Sequence, residues 1–225
     1  MATILCLETA TTNCSVSIGV DGNLKSLVEE NSATYSHAEQ LHVFIEKAVK
    51  EASIELSELD AIAVSKGPGS YTGLRIGVSA AKGLCYSLDI PLLAIPTLES
   101  MAHQIEVSSA EVIISLLDAR RMEVYSCVFD HQYQELRETK AEVITEQSFE
   151  EFTTFDTIHL IGSGAEKCQG ILAHPNFNVH PEIVPSAKEM IQLAQAKYDG
   201  NDVVDLAYFE PYYLKDFILQ GKKKA

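Results

Sequence analysis

The 225-residue chain reads as an α/β protein built from two related lobes. Two observations predict this. One order of elements, three strands in a meander and then alternating helix and strand, is written twice along the chain. The length also exceeds that of one small domain, leaving room for two separate cores.

In the first half, a strand-like run at Thr3 to Glu8 is followed by a second at Cys14 to Val20. Asp21-Gly22 then supplies a hairpin turn into Leu24 to Glu29. Ser36-His37-Ala38-Glu39 has the capping-box spacing, and a helix is predicted from there to about Ser53. Its apolar positions Ala38, Leu41, Ile45, Ala48, Val49 and Ala52 fall on one stripe at the helical period, with Lys47 and Glu51 paired outside it. A short strand at Asp60 to Ser65 leads through Lys66-Gly67-Pro68-Gly69 into a helix from Thr72 to Leu88. A buried strand at Leu92 to Pro96 comes next.

The second half offers strands at Val112 to Leu117, Glu123 to Asp130 and Glu135 to Val143, then a short helix near Glu146 to Phe152. A strand at Thr157 to Gly162, a helix near Ala165 to Leu172 and a capped helix from Ser186-Ala187-Lys188-Glu189 complete it. Strands alternating with helices imply parallel pairing with crossovers. The doubled order is that of the actin-like fold, shared with sugar kinases and of the ribonuclease H type. The expected lobes are 1–104 and 105–204, with 205–225 packing back on the first. A single unrelated mixed sheet is the alternative.

A composition of 46% hydrophobic and 22% charged residues is that of an ordinary globular protein. No basic leader precedes the first apolar run and no span is long enough for a membrane, so a cytoplasmic protein is expected. The five cysteines are odd in number and widely spaced, which reads as reduced core thiols and not as a disulfide or zinc framework. A net charge of −15 argues against non-specific nucleic-acid binding, because phosphate contacts need a positive surface.

Against that acidic background, Lys66 to Leu88 contains Lys66, Arg75 and Lys82 and no acid. Gly67 and Gly69 would let backbone amides approach a ligand, and the helix beginning near Ser70 offers a positive end. Thr9, Lys66, Gly67, Gly69 and Ser70 are therefore candidates for phosphate or nucleotide contact. The motif is neither a Walker A loop nor a dinucleotide fingerprint, and glycines that simply make the turn are the competing reading. Along the helix, Gly73, Gly77 and Ala81 recur every four residues. Arg75, Ser79, Lys82 and Tyr86 form a polar stripe, and Ile76, Ala80, Gly83 and Ser87 a small-residue flank. Two close neighbours could be served, one the chain's own sheet and the other a helix of a second chain; burial on two sides within the monomer is the alternative. His37 with His42, and Glu99 with His103, lack a third metal ligand. No nucleophile motif occurs, so no catalytic residue and no metal site is expected.

The stretch Lys66-Gly67-Pro68-Gly69-Ser70-Tyr71-Thr72-Gly73-Leu74-Arg75-Ile76-Gly77 resembles the TsaB (YeaZ) family, marked by G-P-G-S-[FY]-T-G-[LI]-R-I-G. The likeness extends to Ile4 to Thr11, Ser36 to Leu41, Ile95 to Ser100, Asp118 to Tyr125 and Pro211 to Lys215, with Glu8 and Lys215 standing where aspartate and arginine are usual. The resemblance implies a non-catalytic subunit that assists a TsaD-type paralogue in making N6-threonylcarbamoyladenosine beside the anticodon of tRNAs reading codons that begin with A. The paralogue's metal-binding H-x-x-x-H falls here on Thr97 to Met101, with both ligands lost. The family pairs through the two helices of its first lobe, so His37, Leu41, Phe44, Arg75, Ile76, Ser79, Ala80 and Gly83 are the expected partner contacts. It further implies a TsaE-type ATPase as a third subunit, ATP or ADP at the shared interface, tRNA contacts mainly on the partner, and a homodimer when the partner is absent. A stand-alone ATP-dependent phosphotransferase using Glu8 or Asp118 is the second reading; peptidase activity finds no residues to support it.

Overall fold

The computed structural model describes residues 1–32 and 37–214. The doubled order is realised as two five-stranded mixed sheets. In the first lobe, β1 (Thr3–Glu8), β2 (Asn13–Val20) and β3 (Asn23–Asn31) form the meander. Helix α1 (His37–Ala52), β4 (Ala61–Gly67), helix α2 (Tyr71–Leu88) and β5 (Leu92–Pro96) come after it. The sheet order is β3-β2-β1-β4-β5, with β1 antiparallel to β2 and parallel to β4, and β4 parallel to β5. After helix α3 (Thr97–Ala102) the pattern recurs. Strands β6 (Glu111–Asp118), β7 (Glu123–Phe129), β8 (Glu135–Val143), β9 (Thr157–Ile161) and β10 (Phe177–His180) stand in the order β10-β9-β6-β7-β8. Helix α4 (Ala165–Gln169) joins β9 to β10, and α5 (Met190–Asp199) ends the repeat.

The central strands read as unbroken apolar runs because both of their faces are covered. On β1, Leu5 and Leu7 point into a core shared with Leu41 and Ile45 of α1 and Val78 and Ala81 of α2. Ile4 and Cys6 point the other way, toward Met190, Ile191 and Ala194 of α5. Helix α5 lies within the sequence range expected for the second lobe, yet it packs on the first sheet. Helix α3 does the reverse, setting Leu98, Met101 and Ala102 against Ile113, Leu117, Cys127 and Phe129 of the second sheet. The helix after each lobe's fifth strand thus covers the other lobe.

Several elements differ from the reading of the sequence. Where a helix near Glu146 to Phe152 is expected, there is one 3-10 turn at Glu150–Phe152, because the chain enters it through Phe149 at φ 67, with that ring fully buried. Helix α4 stops at Gly170 and does not reach Leu172. Helix α5 begins four residues late: Ser186 does not cap it, since its hydroxyl donates to the Glu29 carboxylate at 2.8 Å and accepts the Lys188 amide at 3.2 Å. Strand β10 and helix α3 have too few residues to show a period. Ala38, placed on the α1 core stripe, is exposed, and His37 takes its place inside. Ser36 lies outside the described residues, as do Lys215 and the rest of the expected return segment beyond Leu214.

All five cysteines are buried and free. Burial pushes the thiols of Cys6, Cys85 and Cys168 up to about 12 and that of Cys14 to about 11, so they remain protonated core residues. Among the described residues, no helix is long and apolar enough to cross a membrane.

Candidate functional site: a groove between two helices

The seat of α2 explains the glycines. Ser70 caps the helix by accepting the Gly73 amide at 3.3 Å, and its own amide donates to the Ala10 carbonyl at 2.6 Å. A Cβ on Gly69 would lie 2.5 Å from the Ala10 oxygen, and one on Gly73 would overlap the Thr9 carbonyl oxygen. One on Gly77 would overlap the Thr9 hydroxyl, which donates to the Gly73 carbonyl at 2.9 Å and so closes the packing from its side. The four-residue repeat of small residues is therefore the seat of α2 on the chain's own β1–β2 connection, as the intramolecular reading has it.

The five candidate phosphate contacts are divided by this arrangement. Thr9, Gly69 and Ser70 belong to the seat, with Thr9 fully buried. Lys66 and Gly67 instead border a cleft of about 460 Å³ between the lobes, where Glu99, Glu135 and Glu138 also face the space. Burial holds the Glu99 carboxyl above the usual carboxylate range against the pull of Lys197 and Lys66. Glu8 ends β1 with no exposed surface; one carboxylate oxygen accepts the Ala10 amide at 2.6 Å and the other has no hydrogen-bond partner. Burial raises its pKa to about 7, opposed by that amide bond. Asp118 is tied to Lys167 at 2.6 Å and to the Arg120 amide at 2.6 Å. Among the described residues, no group of three His, Cys, Asp or Glu side chains is placed to hold a metal ion. Thr97 and Met101 are both buried in the core.

On its other flank α2 faces an open groove of about 670 Å³, walled by Ala38 and His42 of α1 and floored by Thr72, Ile76, Ala80 and Leu84. Arg75, Ser79 and Gly83 form the second edge. The two helices run side by side from adjacent N-termini, where His37 Nε2 meets the Thr11 carbonyl at 2.7 Å. Ile76, Ala80 and Leu84 touch the core on one side and are partly open on the other. A Cβ on Gly83 would meet nothing within 4 Å, so this glycine, unlike Gly73, serves no contact inside the chain. At the mouth, Arg75 donates to the Tyr71 hydroxyl at 3.0 Å and its guanidinium lies 5.2 Å from that ring. The Tyr213 ring packs 4.9 Å from Tyr71 on the far side.

Of the expected partner contacts, Arg75, Ile76, Ser79, Ala80 and Gly83 line this groove. Phe44 is half-buried against the core beside it. His37 and Leu41 require correction: they are 1% and 0% exposed and form part of the interior, so neither faces outward. Sequence reasoning misses Ala38, His42, Tyr71, Thr72 and Leu84. The i,i+4 spacing of Ala38 and His42 is a usable signal.

Two meander-plus-crossover lobes, each capped by the helix of the other, define an actin-like two-lobed α/β protein. The family model described as TsaD, tRNA N6-adenosine threonylcarbamoyltransferase, matches residues 29–210. A relative from Haemophilus influenzae, tRNA threonylcarbamoyladenosine biosynthesis protein TsaB, is 29% identical over 98% of this chain and 96% of its own length. The protein of the same name from Escherichia coli K12 is 26% identical, covering 97% of each. A Pseudomonas aeruginosa crystal structure of YeaZ superimposes with a TM-score of 0.83 at 26% identity, over 95% of this chain and 100% of that one. The chain belongs to the TsaD family and, within it, to the TsaB (YeaZ) branch.

Proposed function

We propose that this chain is a non-catalytic subunit in tRNA threonylcarbamoyladenosine biosynthesis, and that it uses the α1–α2 groove to bind and activate a TsaD-type paralogue carrying the transferase chemistry. The observation that carries this reading is the groove itself: a largely apolar channel on well-packed helices, with a glycine at Gly83 that no internal contact requires. A helix from a partner would find small residues at the closest approach and Ile76, Ala80 and Leu84 beneath it. The names of the full-length relatives supply the pathway. The buried thioether of Met101 is no donor for a hard catalytic metal, in keeping with chemistry that resides on the partner.

A TsaE-type ATPase would join the pair, ATP or ADP would lie at the shared interface, and tRNA would be met mainly by the partner, since a chain of net charge −15 repels phosphate. Without the partner, the same groove would pair two copies in an isologous dimer. The test is light scattering of the chain mixed with its paralogue. Wild type should form a heteromer and Ala80→Glu should not, with both retaining the same circular dichroism spectrum. Absence of any heteromer with wild type, in the presence of nucleotide, sinks the reading. The phosphotransferase alternative predicts ATP turnover by the isolated chain that disappears in Glu8→Ala.

A further inference from the structure

We propose that residues 215–225 fold back into the α1–α2 groove of their own chain and occupy it until a partner displaces them. Displacement by a partner rests on the functional reading above; the docking itself rests on geometry.

The return segment delivers the chain to the mouth of the groove. Val204 bridges to Leu92, and Lys82 Nζ donates to the carbonyls of Ala207 and Phe209 at 3.0 and 3.2 Å. The Tyr212 amide donates to the Lys66 carbonyl at 2.7 Å. The segment therefore runs along one side of α2 toward its N-terminus. There Tyr213 packs on Tyr71, a residue that also lines the groove, and the chain bends at Leu214.

The final eleven residues match the groove in reach and in chemistry. From Tyr71 to Leu84 the groove spans about 20 Å of helix, whereas the residues after Leu214 extend to about 36 Å. Phe217-Ile218-Leu219, an apolar triplet in an otherwise polar stretch, would then lie roughly 10–17 Å from Leu214, alongside Ile76, Ala80 and Leu84. The space over Gly83 admits a large side chain. Lys222-Lys223-Lys224 would fall past the C-terminal end of α2, where exposed Asp89 and the unpaired carbonyls of the last turn carry negative charge.

Because all five native cysteines are buried, a pair of introduced thiols can report the docking on its own. In the full-length chain, Ser79→Cys with Ile218→Cys should give an intramolecular disulfide under mild oxidation, identified by peptide mass in the monomer fraction. Lys47→Cys with Ile218→Cys, on the outer face of α1, should not. Equal yields from the two pairs, or linkage found only between two chains, would overturn the proposal; the second result would assign the groove to another copy. Removal of residues 215–225 should tighten binding of the TsaD-type paralogue by about tenfold if the tail fills the groove nine-tenths of the time. A cross-link that forms in a chain binding no paralogue, truncated or not, would leave docking in place and remove the partner reading instead.

Discussion

Glu8 carries the clearest consequence at the scale of one residue. An unfolded chain ionises it near the ordinary 4.5, whereas burial makes the folded protein hold the proton up to about 7. Between those values the folded state binds the extra proton, so its contribution to stability falls as pH rises through the window and is flat above it. Glu8→Gln should remove that slope and raise stability at pH 8 by a few kcal/mol, read from denaturant melts at pH 5 and pH 8. An unchanged slope would mean that the carboxylate is solvated. The glycines of α2 make opposite predictions along one helix. In Gly73→Ala the new methyl strikes a backbone oxygen that cannot rotate away, so a loss of about 3 kcal/mol is expected. In Gly83→Ala it enters open space, and better helix propensity should add about 0.5–1 kcal/mol. Both glycines are legible in the sequence, but which serves the fold and which is left for a partner depends on whether Thr9 or solvent lies above them.

At the scale of elements, α2 is held on three sides by different means. Its small face sits on the β1–β2 connection, its core face on β4, and Lys82 clamps the return segment by two carbonyls. Lys82→Met keeps the apolar stem but removes the donors. Amides from Val204 to Phe209 should then exchange with solvent about fivefold faster, a local loss of about 1 kcal/mol, while amides of β1 and β4 keep their protection. Equal acceleration in both would show that the clamp supports the whole lobe. Helices α1 and α2 are legible because their apolar positions repeat over four turns or more. The 3-10 turn at Glu150–Phe152 and the short α4 are overestimated because a few residues carry no reliable period.

For the whole molecule, the exchange of α3 and α5 between sheets makes each lobe incomplete alone. A fragment 1–104 leaves Ile4, Cys6, Ala61, Ala63, Leu93 and Ile95 without their cover from Met190, Ile191 and Ala194. Such a fragment should lack a cooperative thermal transition by circular dichroism, and linking 186–214 to it should restore one. A cooperative melt of 1–104 by itself would contradict this account of the core.

The sequence by itself determined the elements, their doubled order, the reduced buried cysteines and the helix flank that lines the groove, because each is written in residues close together along the chain. Tertiary structure decided the rest. It buried His37 and Leu41, divided the glycine-loop residues between a packing seat and a cleft, and sent α5 to the first sheet. A periodic pattern reports that a face is covered and not by what. The cover here comes from far along the chain, as when Ser17 donates to the carbonyl of Ala187 across a separation of 170 residues.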